Sequence, residues 1–245
     1  MTAARAQPLL HHSRAGSADD PVVVLVHGIG SSSLYWRRLA HELAPSRQVL
    51  SVDLPGFGRS PRVPRALSIP EHARALGAFL HDQGARGALV VGHSMGCQVV
   101  AELVRRDPSA ARALVLVGPT TDQAARTRLR QAWRLVRSSV HEPLSLTAVQ
   151  VRSFLACGPR TYLATVAALL ADRIEDHLPH VRVPTLLVRG EHDAVAPLPW
   201  ISRLAGLAPR ATTAEIAGAH HVAQWTHPER LAQLCLAADR GWPRA

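Results

Sequence analysis

A chain of 245 residues with a 47% hydrophobic share can bury a sizeable core, as one large α/β domain with an insertion or as two small domains. Its net charge of +10 comes without a single lysine: all 28 basic residues are arginines, spread among alanines along predicted helices, and only 4% of residues are aromatic. With no dense basic face, no stacking surface and no recognition motif, nucleic acid is not an expected partner. Cys97, Cys157 and Cys235 lie far apart with no C-x-x-C pair, which fits reduced thiols. No run reaches the roughly 18 apolar residues of a membrane span, and the N-terminus lacks the apolar segment of a signal peptide. The expectation is a cytoplasmic protein with no membrane association.

In chain order, residues 9–15 are a candidate edge strand, followed by a buried strand at 22–26, "VVVLV". That strand runs into His27-Gly28-Ile29-Gly30 and a serine-led helix over 33–43, with Leu34, Leu39 and Leu43 on one side. A second buried strand at 49–52 leads into "DLPGFG", where Asp53 is expected to bond the following turn. Ser68 and Glu71 form a capping box opening a helix to about residue 81. Strands follow at 89–91, 114–117 and 185–188, with a weaker alternating one at 211–216. Strand and helix in alternation predict an α/β fold built on a mostly parallel sheet covered on both faces.

Between 119 and about 181 the rhythm breaks. Three helical patterns, at 122–138, 146–156 and 160–173, are punctuated by Glu142-Pro143 and Gly158-Pro159. More than sixty residues is too long for a simple connection. The predicted organisation is therefore a core of residues 1–118 and 182–245 with a helical insertion at 119–181. Active-site crevices lie at the carboxyl ends of parallel strands, so the insertion reads as a lid over them, with a purely structural helical cap as the other reading.

The chemistry starts at "GHSMG", residues 92–96. A short apolar strand ends there and a helix begins at Met95. The glycines of G-x-S-x-G remove side chains where a sharp turn would crowd them, pushing Ser94 into solvent. A loop serine capping a helix has the same local look, so Ser94 needs a base and an acid elsewhere. Asp193 follows the strand at 185–188 in "RGEHDAVAP", and His221 follows the last strand in "AGAHHVAQWTHPE". Serine, aspartate and histidine in that order, each just past a strand, make a nucleophile, an orienting carboxylate and a general base. The loop at 27–30 can turn backbone N–H groups toward an oxyanion, and the Met95 N–H at a helix start is a second donor.

Taken with "VLVHGIG", "SVDLPGFGRS" and "VPTLLVRGEHD", these stretches resemble the α/β-hydrolase family over most of the chain. The resemblance implies a serine hydrolase with Ser94 as nucleophile, Asp193 as acid, His221 as base, an oxyanion hole from the N–H groups of Ile29 and Met95, and a cap at 119–181. It departs from the family at His220, where glycine usually precedes the catalytic histidine, so the two neighbouring imidazoles compete and His221 is favoured. Cys97 also stands where glycine often follows the elbow. The tail from His221 to His227 resembles the carbon–carbon hydrolases of meta-cleavage products. That group usually has tryptophan at the position of Val222 and asparagine at that of His93.

Asp122, also past a strand, is a second candidate for the acid, with helix capping as its other role. Trp133 and Trp225 are candidate substrate-binding residues, and Trp36 a third aromatic that could line an apolar pocket, against the alternative of core packing. His11, His12, His177 and His180 match no metal spacing and no phosphate loop is present, so neither metal nor cofactor is expected. The expected activity is hydrolysis of a small to medium, largely apolar carboxylic ester through an acyl-enzyme. Carbon–carbon cleavage, or thioesterase, lactonase or acyltransferase action on the same residues, is the alternative.

Overall fold

The computed structural model describes residues 10–139 and 142–241. Seven strands form one sheet in the order β1-β3-β2-β4-β5-β6-β7: β1 (His12–Ala15), β2 (Val22–Val26), β3 (Gln48–Val52), β4 (Ala88–His93), β5 (Ala111–Val117), β6 (Thr185–Gly190) and β7 (Ala211–Ile216). All neighbours run parallel except β1, which pairs antiparallel with β3. The first residue of the expected edge strand, Leu9, lies outside the described residues.

Alternate residues of the inner strands β2 to β6 feed two separate cores, which is why these strands read as apolar runs. Val24, Val26, Val90 and Leu116 face one core, and Val23, Leu25, Val91 and Val115 face the other. The first core is closed by α2 (Ile69–Asp82), α3 (Met95–Arg106) and α8 (Leu198–Leu207), the second by α1 (Arg37–Leu43) and α10 (Pro228–Asp239). The predicted helix at 33–43 splits, its first turn, Ser33–Trp36, being a 3₁₀ turn. Ser68 and Glu71 do form the capping box of α2, the Ser68 N–H donating to Glu71 Oε2 at 2.9 Å.

Between β5 and β6 the chain forms a 3₁₀ turn at Gln123–Ala125, then α4 (Arg128–Ser139), α5 (Leu144–Cys157), α6 (Pro159–Ala171) and the short α7 (Ile174–His177). The helix expected at 122–138 starts later because Asp122 accepts from the Ala124 N–H at 2.9 Å and caps the 3₁₀ turn. Polar ties fasten this insertion to the core. Gln98 Nε2 donates to the Leu169 carbonyl at 3.0 Å, Trp200 Nε1 donates to the Pro119 carbonyl at 3.0 Å, and His177 Nδ1 lies 3.3 Å from Glu102 Oε2 of α3.

Among the described residues no single helix is long and apolar enough to cross a membrane. Only α5 and α6 together meet that length and composition, and they are bent by 96° at Gly158.

The short helix α9 (Ala223–Thr226) carries Trp225, which is fully buried in the second core, its Nε1 donating to Ser145 Oγ at 3.3 Å. Arg37 and Arg38 stack on its ring at 4.6 Å. Trp225→Ala is expected to destabilise the fold by about 3–5 kcal/mol, the cost of emptying a large buried aromatic site. Thermal and urea unfolding read this directly, and a variant as stable as the parent would contradict it.

Candidate active site

Ser94 sits at the turn between β4 and α3 with φ 54° and ψ −119°, the sole non-glycine residue with positive φ among the described residues. Such backbone costs about 1–3 kcal/mol and persists only where its surroundings hold it. Here the Ser94 N–H donates to the Val117 carbonyl at 2.9 Å, and the Cys97 N–H donates back to the Ser94 carbonyl at 3.0 Å. A Cβ at position 96 would lie 2.3 Å from the Val26 carbonyl oxygen, so only glycine lets α3 start this close to β2. Cys97, beside it, is buried, and burial pushes its thiol well above the ordinary range. It is packing, with its Sγ–H directed to the Gly92 carbonyl at 3.2 Å.

The loops after β6 and β7 bring Asp193 and His221 together. His221 Nδ1 lies 3.0 Å from Asp193 Oδ2, and since a carboxylate only accepts, Nδ1–H is the donor and Nε2 carries the lone pair. Asp193 Oδ1 accepts from the Val195 and Ala196 N–H groups at 2.8 and 3.0 Å, fixing the carboxylate plane. Burial raises the Asp193 carboxyl, but the charge and hydrogen bond of His221 and the two amides outweigh it and hold it below its usual range. Burial lowers the His221 imidazole, while Asp193 and Glu142 more than reverse this and leave it raised. Gly118, at φ 55°, provides the space: a Cβ there would lie 2.9 Å from His221 Nδ1 and 3.0 Å from Asp193 Oδ2.

The other candidate acid and base are elsewhere. Asp122 is committed to its cap and to Arg134 at 2.5 Å. His220 faces His192, ring centroids 5.3 Å apart, in a separate cleft with Trp133, Arg137 and Arg189. Asp53, as expected, organises the turn it begins: it accepts from the Ser33 and Arg59 N–H groups, and His11 Nδ1 lies 2.9 Å from it.

Ser94 and His221 open onto a cavity of about 240 Å³, lined also by Gly28, Ile29, Tyr35, Glu142 and Phe154. Neither of the two tryptophans predicted to bind substrate lines it. Trp225 is core, because its indole completes the packing between α1 and α10, and Trp133 is 61% exposed on α4, stacked under Arg137 at 5.5 Å. Trp36 is core as well. The aromatic lining comes from Tyr35, Phe154 and Tyr162 instead, the last two edge to face at 5.1 Å. Nothing in their local sequence separates them from other half-apolar helix positions; only the seating of α5 and α6 over the strand ends does. Among the described residues no group of three or more His, Cys, Asp or Glu side chains is arranged to hold a metal.

His93, the residue before Ser94, was not among the candidates. It is 2% exposed, its Nε2–H donates to the His221 carbonyl at 2.9 Å, and its ring lies 4.6 Å from that of His221. Tyr35 Oη is 3.4 Å from its Nδ1. Burial, with the neighbouring His221 charge, lowers the His93 imidazole to about 3, so it stays neutral and keeps this one tautomer. His93→Leu leaves the His221 backbone unclamped, and kcat is expected to fall by up to about a hundredfold, as for angstrom-scale misplacement of a reacting group. Steady-state kinetics beside a melting curve check it, since unchanged kcat in a folded variant would remove the clamp's role.

Residues 23–234 match the model of the alpha/beta hydrolase family. The pimeloyl-[acyl-carrier protein] methyl ester esterase of Vibrio vulnificus is 26% identical, over 93% of this chain and 97% of its own. A putative carbamate hydrolase, RutD, of Azorhizobium caulinodans is 27% identical over 87% and 89%. Among solved structures, a thermophilic esterase from Thermogutta terrifontis superposes with a TM-score of 0.81 at 22% identity, over 94% of this chain and 93% of that one.

Proposed function

Because the chain belongs to the alpha/beta hydrolase family, we propose that it hydrolyses carboxylic esters through a serine acyl-enzyme, with small to medium, largely apolar substrates. The observation that carries this reading is the 3.0 Å contact of His221 Nδ1 with Asp193 in a cavity that also exposes Ser94 at its strained turn. Ser94 Oγ attacks the ester carbonyl carbon and His221 Nε2 takes its proton. Asp193 holds the imidazole and stabilises its charged form. His221 then protonates the departing alcohol, and water, activated by the same nitrogen, releases the acid.

The oxyanion is received by the N–H groups of Ile29 and Met95. His27 Nδ1–H donates to the Gly28 carbonyl at 2.7 Å. In a trans peptide the C=O and N–H point opposite ways, so this bond turns the Ile29 N–H away from His27. Met95 begins α3, where the first N–H groups lack helical partners and the dipole favours negative charge. The helices α4 to α6 act as a lid, supported by Leu135, Phe154 and Tyr162 in the cavity wall. Val222 also lines the cavity, where the carbon–carbon hydrolases usually have tryptophan, and this favours ester over carbon–carbon cleavage.

Initial rates on p-nitrophenyl esters of increasing acyl length test the proposal. Turnover with an optimum at short or medium chains, preceded by a burst of p-nitrophenol, is the expected result; absence of turnover across the series would overturn it.

A further inference from the structure

Ser94 and His221 stand where two cavities meet, and the two differ in character. The first, already described, holds Glu142 and Gln150. Glu142 Oε2 accepts from Gln150 Nε2 at 3.2 Å, while Oε1 is buried with no hydrogen-bond partner. The second, about 290 Å³, runs between α4 and α6 along Leu135, Val136, Leu163, Val166 and Leu170, and Arg128 also lines it. Leu135 and Tyr162 belong to both.

Arg128, Gln131, Ala132 and Leu135 all line this second arm and lie at helical spacing on one face of α4. Leu135 is at the Ser94 end, and Arg128 is two turns away, about 10 Å along the axis. The neighbouring arginines are all engaged: Arg126 with Glu175, Arg130 with the Ala124 carbonyl, Arg134 with Asp122 and Arg137 on the Trp133 ring. Arg128 is exposed, and among the described residues it has no ion pair or hydrogen bond. An apolar channel from the nucleophile to an uncommitted guanidinium fits a chain that is apolar along its length and anionic at its end. The opposite arm ends in a carboxyl of its own and is the wrong place for an anion.

We infer that the preferred substrates are esters whose acyl chain ends in a carboxylate or phosphate, lying between α4 and α6 with that anion at Arg128. This rests on the ester-hydrolase reading of Ser94 and His221, and names the substrate class for it. The reaction adds water across the ester bond, releasing the alcohol and a new carboxylic acid that loses its proton to solvent, so the product carries one more negative charge than the substrate.

The test compares monomethyl esters of the dicarboxylic acids from succinate to sebacate with methyl alkanoates of equal length, and with methyl esters of chains ending in phosphate. Wild type is expected to favour the anionic esters by about fivefold in kcat/KM, the upper size of an exposed charge contact. The preference should peak at one chain length, vanish in Arg128→Gln and invert in Arg128→Glu. A preference for either anion supports the assignment and says which one the guanidinium takes. Equal rates on anionic and neutral esters in wild type, or an unchanged ratio in both variants, overturns it while leaving the hydrolase reading intact. Calorimetry of the half-esters on Ser94→Ala gives the converse. Binding that depends on Arg128, without turnover by wild type, sinks the hydrolase reading and keeps the anion site, whereas binding that ignores Arg128 removes it.

Discussion

Ser94→Ala is expected to lower kcat on a short p-nitrophenyl ester by about 10⁶-fold, the loss seen when the nucleophile of a serine, histidine and aspartate set is removed. The size follows from what the hydroxyl does. In the proposed mechanism it turns one hard displacement into acylation and deacylation, and without it only binding and the proposed oxyanion donors are left to assist water. The substitution should not harm the fold. Ser94 holds its positive φ through backbone bonds to Val117 and Cys97, and alanine keeps both N–H and C=O. The p-nitrophenol burst must disappear with the turnover. If Ser94→Ala kept even a tenth of the wild-type rate, another group would be the nucleophile.

Asp193→Asn is the second large effect, about 10⁴-fold in kcat with geometry retained, because an amide in place of the carboxylate favours the wrong imidazole tautomer and cannot stabilise its cation. Asp122→Asn on the same substrate separates the two candidate acids. Asp122 is bonded to Ala124 and Arg134, so only the seating of the insertion should respond. The pH profile adds an independent reading. His221 accepts the Ser94 proton only when neutral, and its folded pKa is raised above 6.5, against burial, by Asp193 and then Glu142. In the wild type kcat/KM should therefore fall as pH drops through a value above 6.5. Removing the Asp193 charge leaves burial dominant, so in Asp193→Asn the residual activity should fall off at a lower pH. An acid limb that stays in place would mean that the titrating group is not His221.

The cost of the strained turn at Ser94 is met by neighbours that have no chemistry themselves. Gly96 lets β2 and α3 approach, and Gly118 leaves room for the Asp193–His221 contact. His93 sits between the two halves of the site, its backbone joined to Ser94 and its side chain bonded to the His221 carbonyl. Its low pKa of about 3 matters to that role, since a protonated imidazole beside His221 would oppose the charge that forms there.

The strands β2 to β6 were legible because each is buried on both faces, and a doubly buried strand must be written as consecutive apolar residues, as in β2 and β4, while β7, exposed at Thr213 and Glu215, shows only the weaker alternation of an outer strand. Their ends were less legible: β5 begins at Ala111, ahead of the apolar run, because Ala111 and Ala113 pair with Ala88 and Leu89 of β4 across a register shift that leaves Arg112 unpaired between them. The G-x-S-x-G turn, Asp193 and His221 were legible as well, because each follows directly on a parallel strand and so falls on the same edge of the sheet. Which imidazole meets the carboxylate was not. His220 and His221 are adjacent and chemically identical, and only the path of the loop after β7 turns one toward Asp193 and the other toward His192.

The cavity lining was hidden for the same reason. Trp225 looked like a pocket residue and is core, while Tyr35, Glu142, Phe154 and Tyr162 come from segments up to 127 positions apart and meet only when α5 and α6 settle over the strand ends. The sequence by itself determined the sheet, the placing of Ser94, Asp193 and His221 just past successive strands, and the presence of a helical insertion, because burial period and strand ends are local properties of the chain. Only the tertiary structure decided which side chains wall the site and which charges face each other across it, because that depends on how helices distant in sequence pack, and packing is written in no single stretch of it.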